Sequence, residues 1–73
     1  KKLSYNEQKE WETIEEDIAN IEDSITELTD AMNRQGADFT QLQTLQKEID
    51  AAEEELEAKM LRWEYLSEIM EEN

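Results

Sequence analysis

A chain of 73 residues has room for one small domain, and its 21 acidic and 7 basic residues give it a formal net charge of −14. It has no cysteine and no histidine, which excludes disulfide bonds, thiolate metal sites and the usual ligands of zinc and haem. No apolar run approaches the roughly 20 residues of a membrane span, and no signal peptide is visible. We expect a cytoplasmic fragment of a longer protein, without contact to a membrane.

An apolar seam predicts the first helix, over residues 5–33. Ser4 and Glu7 have the spacing of a capping box, in which each side chain accepts a hydrogen bond from the other residue's backbone N–H. The seam residues that follow are spaced alternately three and four apart: Trp11, Ile14, Ile18, Ile21, Ile25, Leu28 and Met32. This is the heptad pattern of a coiled coil, whereas a strand would need strict alternation.

A turn over residues 34–38 and a second helix over 39–71 are predicted next. Gly36 is the only glycine and suits a left-handed helix C-cap. Asp38 and Gln41 repeat the capping pattern at the start of the second helix. The second seam has the same spacing, with Lys59 as its one polar member: Leu42, Leu45, Ile49, Ala52, Leu56, Lys59, Trp63, Leu66 and Met70.

The phase of the seam indicates that the two helices fold back on each other. Met32 and Leu42 hold the same seam position but lie ten residues apart, so the heptad pattern slips by three at the turn. A short connection makes adjacent helices antiparallel neighbours. The predicted fold class is therefore all-α, a two-helix antiparallel coiled-coil hairpin that forms a single domain over residues 1–73.

Folding about the turn also predicts which residues face each other. Trp11 meets Trp63 in an aromatic layer. Glu10 lies beside Arg62. The ammonium group of Lys59 rises from the seam towards Glu15 or Glu12.

Acidic clusters offer no convincing catalytic or metal site. Glutamates spaced three or four apart are abundant, as in Glu12, Glu15 and Glu16 or in Glu53, Glu54 and Glu57. Acid–base chemistry needs carboxylates in a concave, partly dry pocket, and a two-helix hairpin provides none. Calcium-loop and phosphate-loop patterns are missing from the sequence. We interpret the clusters as solvated faces and predict no catalytic, cofactor-binding or metal-binding residue.

Two sets of candidate contact residues fall at the terminal end, the end of the hairpin that carries both chain termini (residues 1–11 and 59–73). One set is apolar and lies off the seam: Leu3, Tyr5, Met60, Leu61, Tyr65 and Ile69. It forms either a wider local core, with the segment before Ser4 folded over the second helix, or a contact for a protein partner or a second copy. The other set is basic and is the candidate nucleic-acid contact: Lys1, Lys2, Lys9, Lys59 and Arg62.

Three segments resemble a known family. The opening Lys2–Trp11, Lys-Leu-Ser-Tyr-Asn-Glu-Gln-Lys-Glu-Trp, resembles the start of the C-terminal domain of ABC-F ATPases of the Uup type. The pair Asp38-Phe39 is similar to the start of that domain's second helix. The closing Arg62–Glu68, Arg-Trp-Glu-Tyr-Leu-Ser-Glu, is similar to its end.

The resemblance implies an accessory arm. ABC-F proteins are soluble cytoplasmic proteins in which two ATP-binding cassettes, holding ATP and magnesium, precede an antiparallel coiled coil. Relatives act on ribosomes or in DNA-related processes, so the resemblance implies an arm that contacts DNA or ribosomal RNA. The alternative is a protein-interaction or regulatory arm of the same ATPase, contacting its cassettes and no nucleic acid. In both cases catalysis belongs to the parent chain and not to these residues.

Overall fold

A computed structural model describes residues 2–34, 36 and 38–72 and contains two helices packed side by side. Helix α1 spans Tyr5–Met32 and helix α2 spans Phe39–Glu72. The molecule measures 53 × 17 × 15 Å. Contacts between the helices pair early residues of α1 with late residues of α2, so the predicted all-α, antiparallel two-helix hairpin is confirmed. Neither helix has an apolar stretch long enough to cross a membrane.

Both helices begin at a reciprocal capping box. At α1, the N–H of Glu7 donates to Ser4 Oγ at 3.2 Å and the N–H of Ser4 donates to Glu7 Oε1 at 2.9 Å. At α2, the N–H of Gln41 donates to Asp38 Oδ1 at 2.8 Å and the N–H of Asp38 donates to Gln41 Oε1 at 3.1 Å. Both predicted starts are confirmed, because each pair satisfies two backbone donors that the helix itself leaves open.

The end of α1 differs from the prediction. The C-cap is Asn33, which keeps right-handed torsion angles (φ −87°, ψ −1°). Gly36 does adopt the left-handed conformation, at φ +89°, but three residues further on, within the connection. A Cβ at Gly36 would meet no atom within 4 Å. Glycine is therefore required there by the backbone angle and not by a lack of space. The adjacent positions 35 and 37 lie outside the described residues.

The core follows the seam except at the terminal end. The buried apolar side chains of the described residues are Ile14, Ile21, Ile49, Leu66 and Ile69. The other seam positions are half-buried, apart from Met70, which the sequence placed in the seam and which is 39% exposed. Ile69 is buried in its place, at 4% exposure. Continuing the predicted pairing sets Met70 opposite Ser4, the polar residue that caps α1.

The aromatic layer and one of the predicted ion pairs are confirmed. The rings of Trp11 and Trp63 stack with centroids 6.3 Å apart and planes inclined by 24°. Trp63 Nε1 donates to Glu15 Oε1 at 3.4 Å. Arg62 Nε donates to Glu10 Oε2 at 2.8 Å. These contacts show the predicted pairing of the two helices near the terminal end.

The partner of Lys59 was predicted wrongly. Its ammonium group contacts Asp17 Oδ2 at 3.3 Å, not Glu12 or Glu15. Side chains of a helix lean towards its N-terminus. Because α2 runs antiparallel to α1, the N-terminal direction of α2 is the direction of rising residue numbers on α1. Lys59 therefore reaches past its facing layer towards Asp17.

Salt tests how far the acidic surface opposes folding. Three carboxylate–cation contacts occur among the described residues, against a net charge of −14 for the chain. Raising sodium chloride from about 0.01 M to about 0.15 M shortens the Debye length from about 30 Å to about 8 Å. We expect the melting temperature, followed by circular dichroism, to rise over this range because repulsion outweighs the few exposed ion pairs. A steady fall would show that the ion pairs dominate.

Candidate contact surfaces

Four side chains form a polar clamp across the terminal end: Glu7, Glu10, Arg62 and Tyr65. The guanidinium of Arg62 lies between the two glutamates, with Nε 2.8 Å from Glu10 Oε2 and Nη2 3.8 Å from Glu7 Oε2. The hydroxyl of Tyr65 donates to Glu7 Oε2 at 3.0 Å. The guanidinium carbon also stands 4.9 Å from the centre of the Tyr65 ring, within cation–π distance. The clamp therefore joins the first turns of α1 to the last part of α2.

The clamp shifts the pKa values of three of its members. Hydrogen bonds from the Ser4 backbone and the Tyr65 hydroxyl lower the pKa of Glu7, because they favour its charged form. The hydrogen bond to Glu10 raises the pKa of Arg62. The hydrogen bond to Glu7 raises the pKa of Tyr65, because it holds the phenol proton. The clamp thus favours ionised Glu7 beside neutral Tyr65.

We expect neutralising Glu7 to weaken the hairpin in a pH-dependent way. A lowered folded pKa stabilises the protein above the ordinary value of the carboxyl, and this stabilisation is lost as the pH falls through the lowered value. Glu7→Gln should therefore melt below wild type at pH 7, with the difference shrinking as the pH falls through the lowered pKa of Glu7. Thermal melts of both proteins across this range measure it.

Glu16→Gln is the matched control, since it removes the same charge from an exposed position of α1 outside the clamp. Equal effects of the two variants at pH 7 would show that the clamp adds nothing beyond general charge. Tyr65 contributes stability with the opposite pH dependence. Its hydrogen bond to Glu7 raises its pKa in the folded protein, so it stabilises the fold below the ordinary pKa of a phenol. This stabilisation is lost as the pH rises through the raised pKa.

The structure gives the predicted basic contact residues unequal roles. Lys59 and Arg62 form ion pairs with carboxylates of α1. The ammonium group of Lys9 stands 5.6 Å from the centre of the Tyr5 ring, and Lys2 is exposed. Lys1 lies outside the described residues. The terminal end therefore presents less free positive charge than its composition suggests.

The predicted apolar contact residues also divide. Tyr5, Leu61, Met60 and Tyr65 are exposed, at 75%, 60%, 46% and 38% respectively. Ile69 is 4% exposed and belongs to the core, so its assignment to an exposed contact patch is corrected. Leu3 is half-buried. The structure therefore adds Ile69 to the core at this end and leaves an exposed apolar surface beside it, whose contact with a partner stays a prediction.

Sequence reasoning missed Phe39, which is 73% exposed at the opposite end of the hairpin. The available signal was its place directly after the capping residue Asp38 and off the seam. Near it, a groove of about 540 Å³ lies between the helix ends, lined in part by Arg34, Thr40 and Gln41. Among the described residues no group of three acidic side chains is arranged to hold a metal ion.

Comparison with known proteins gives two matches. Residues 2–68 match the profile of the family described as the ABC transporter C-terminal domain. Over 72 residues the chain is 44% identical to "Uncharacterized ABC transporter ATP-binding protein YfmR" of Bacillus subtilis (strain 168). That alignment covers 99% of this chain and 11% of the relative, so the chain spans about a tenth of the relative's length. No solved structure matches the chain.

Proposed function

The chain belongs to the ABC transporter C-terminal domain family, and from this premise we propose that it is a non-catalytic accessory arm of an ABC-F ATPase. Two features support the proposal. The chain is similar to a small part of a much longer ATP-binding protein, and its end segments resemble ABC-F sequences. We infer that an arm of this kind has its effect by contact with a partner.

ATP and magnesium are assigned to cassettes outside these residues. Binding phosphates through the backbone requires a glycine-rich loop ahead of a helix. The only glycine here, Gly36, precedes α2, whose start is capped by the acidic Asp38. A carboxylate at that position would repel a phosphate group, so this chain does not fit the nucleotide. Within the proposal, the parent protein is cytoplasmic and hydrolyses ATP elsewhere along its chain.

The geometry best supports a protein contact made by the terminal end with the cassettes of the parent. The observation that carries this is the neutralisation of Arg62 by Glu7 and Glu10, directly beside exposed apolar side chains. Leu61 lies on the solvent side of α2 and is 60% exposed. Polar groups that satisfy each other next to exposed apolar surface are typical of a protein interface. We infer that the arm positions or regulates the cassettes.

Leu61→Glu in the full-length parent tests this contact. Burying a leucine is worth about 1.5–3 kcal/mol, so the variant should weaken binding of the isolated arm to the cassettes by about tenfold or more. It should also move ATP turnover, without nucleic acid, towards the rate of a protein that lacks the arm. Ala51→Glu adds the same charge to an exposed position ten residues earlier on α2 and serves as control. Identical turnover with and without the arm, together with no binding to the cassettes, would eliminate the protein contact.

A second candidate is contact with DNA or ribosomal RNA, which the ABC-F resemblance favours. At the terminal end it would depend on Lys2 and Lys9, which are exposed. Fluorescence anisotropy at low salt with duplex DNA and with structured RNA measures it. Lys9→Glu is a cleaner test than Arg62→Glu, because Arg62 also holds the clamp together. Unchanged affinity in Lys9→Glu and Lys2→Glu would rule out this end as the contact.

A further inference from the structure

Leu61 interrupts a polar surface that faces away from the seam. In a heptad pattern the position farthest from the partner helix recurs every seven residues. In the two helices this position is held by Lys9, Glu16, Asp23 and Asp30 on α1 and by Thr40, Lys47, Glu54, Leu61 and Glu68 on α2. All nine side chains are exposed, and the other eight are polar. Leu61 therefore lies outside the contact between the helices, in a place that water otherwise occupies.

Two further apolar side chains accompany Leu61 on the same face of α2. Residues three and four positions apart are neighbours on a helix surface. Ala58 and Tyr65 hold such positions, and both are exposed. We call Ala58, Leu61 and Tyr65 the outer patch. Their spacing is that of the anchor residues by which a helix binds in an apolar groove.

The tyrosine of the outer patch is held in place before a partner binds. Its hydroxyl donates to Glu7 Oε2 at 3.0 Å. Its ring lies 4.9 Å from the guanidinium carbon of Arg62, which is itself bound to Glu10. A partner that covers this ring therefore loses less conformational entropy than it would on a free side chain.

Carboxylates surround the outer patch along α2. The remaining neighbours of Leu61, three, four and seven positions away, are Glu54, Glu57, Glu64 and Glu68. All four are exposed, and none of them forms an ion pair with any residue that the structure describes. A partner that covers the patch must approach these charges, and an unpaired charge that loses its water opposes binding. The rim of a matching partner surface is therefore basic.

A second copy of this chain is a poor occupant of the outer patch. In a symmetric dimer each patch would face its own equivalent. The four glutamates around Leu61 in one copy would then approach the same four in the other, and each copy has a net charge of −14. Like charges placed opposite each other oppose association. Charge complementarity thus favours a different protein surface.

We propose that the outer patch binds an apolar groove on the cassettes of the parent protein and that lysine and arginine side chains form the rim of this groove. The proposal rests on the protein contact inferred above and specifies its face and its chemistry. Leu61 and Tyr65 enter the groove. Glu57 and Glu64 lie on the side of Leu61 away from Tyr65 and pair with the basic rim, because the helical repeat places them there.

Binding of the labelled chain to the parent protein without its arm, followed by fluorescence anisotropy, tests the proposal. The affinity should fall as sodium chloride rises from about 0.05 M to about 0.5 M. The α2 double variant, Glu57→Gln with Glu64→Gln, should lower the affinity about fivefold and reduce its salt dependence. The α1 double variant, Glu12→Gln with Glu16→Gln, is the control, since it removes the same charge from exposed positions of the other helix. Circular dichroism confirms that each variant keeps its helices.

The outcomes separate this proposal from the protein contact on which it rests. Salt-sensitive binding that only the α2 double variant weakens supports the basic rim. Equal weakening by both double variants would show a general effect of charge and overturn it. Binding that Leu61→Glu weakens and the α2 double variant leaves unchanged also overturns it, although the protein contact then stands. No binding of the wild-type chain overturns both. A dimer of the chain in sedimentation velocity that Leu61→Glu dissociates would assign the outer patch to a second copy and overturn the proposal.

Discussion

Leu66→Ala is expected to cost about 3 kcal/mol of unfolding free energy, a large part of what a hairpin of this size can have. Leu66 is completely buried, at 0% exposure, and so is Ile14 on the other helix. Truncation removes three carbons from a fully enclosed site and leaves a cavity that two packed helices close only in part. Urea denaturation followed by circular dichroism measures the change.

Leu61→Ala is the control for this experiment, because it makes the same chemical change five residues earlier on the same helix. Leu61 is 60% exposed, so its truncation should change stability by no more than about 0.5 kcal/mol. Equal losses in the two variants would mean that α2 presents a different face to α1, and the core described above would be wrong.

Trp63→Ala is expected to cost about 3 kcal/mol, the low end of the range for buried aromatic residues. The ring is only half-buried, but it stacks on Trp11 at 6.3 Å and its indole N–H donates to Glu15. Deleting it removes one of the two tryptophans of this layer and leaves one face of Trp11 without a neighbour. Thermal and urea melts by circular dichroism measure the loss, and the emission of Trp11 in the variant should shift to the red.

A double-mutant cycle separates stacking from burial in this layer. With Trp11→Ala and the double variant, the coupling between the rings should be about 0.5–1.5 kcal/mol. Tyr5→Ala is the comparison for an aromatic residue outside the core, since Tyr5 is 75% exposed. Additive effects of the two tryptophan substitutions would contradict a direct contact between the rings.

The path of the chain could be read from local patterns. The slip of the heptad phase at Gly36 predicted the reversal, and the Ser4 and Asp38 capping pairs predicted both helix starts. These features depend on residues that are three or four positions apart in the chain, and this spacing is visible in the sequence itself. The stacked tryptophans followed from the same seam once the chain was folded at the turn.

Contacts between side chains on different helices were less predictable. The sequence predicted that Lys59 contacts Glu12 or Glu15. It contacts Asp17 instead, because α2 runs antiparallel to α1. The sequence also put Met70 in the seam and Ile69 outside, although the continued pairing sets Met70 opposite the polar Ser4, which precedes α1. Both errors arise because the contacts of long side chains and of helix ends depend on which residues of the other helix lie opposite them.

Charge shows the same division between sequence and structure. The sequence alone determined that the chain is an acidic two-helix hairpin without histidine or cysteine, because composition and periodicity are properties of the chain itself. Only the tertiary structure decided which charges remain available. Arg62 is bound between Glu7 and Glu10, whereas Phe39 and Arg34 stand exposed at the far end. The physical reason is that pairing and exposure depend on distances between residues far apart in sequence, and those distances exist only once the helices have packed.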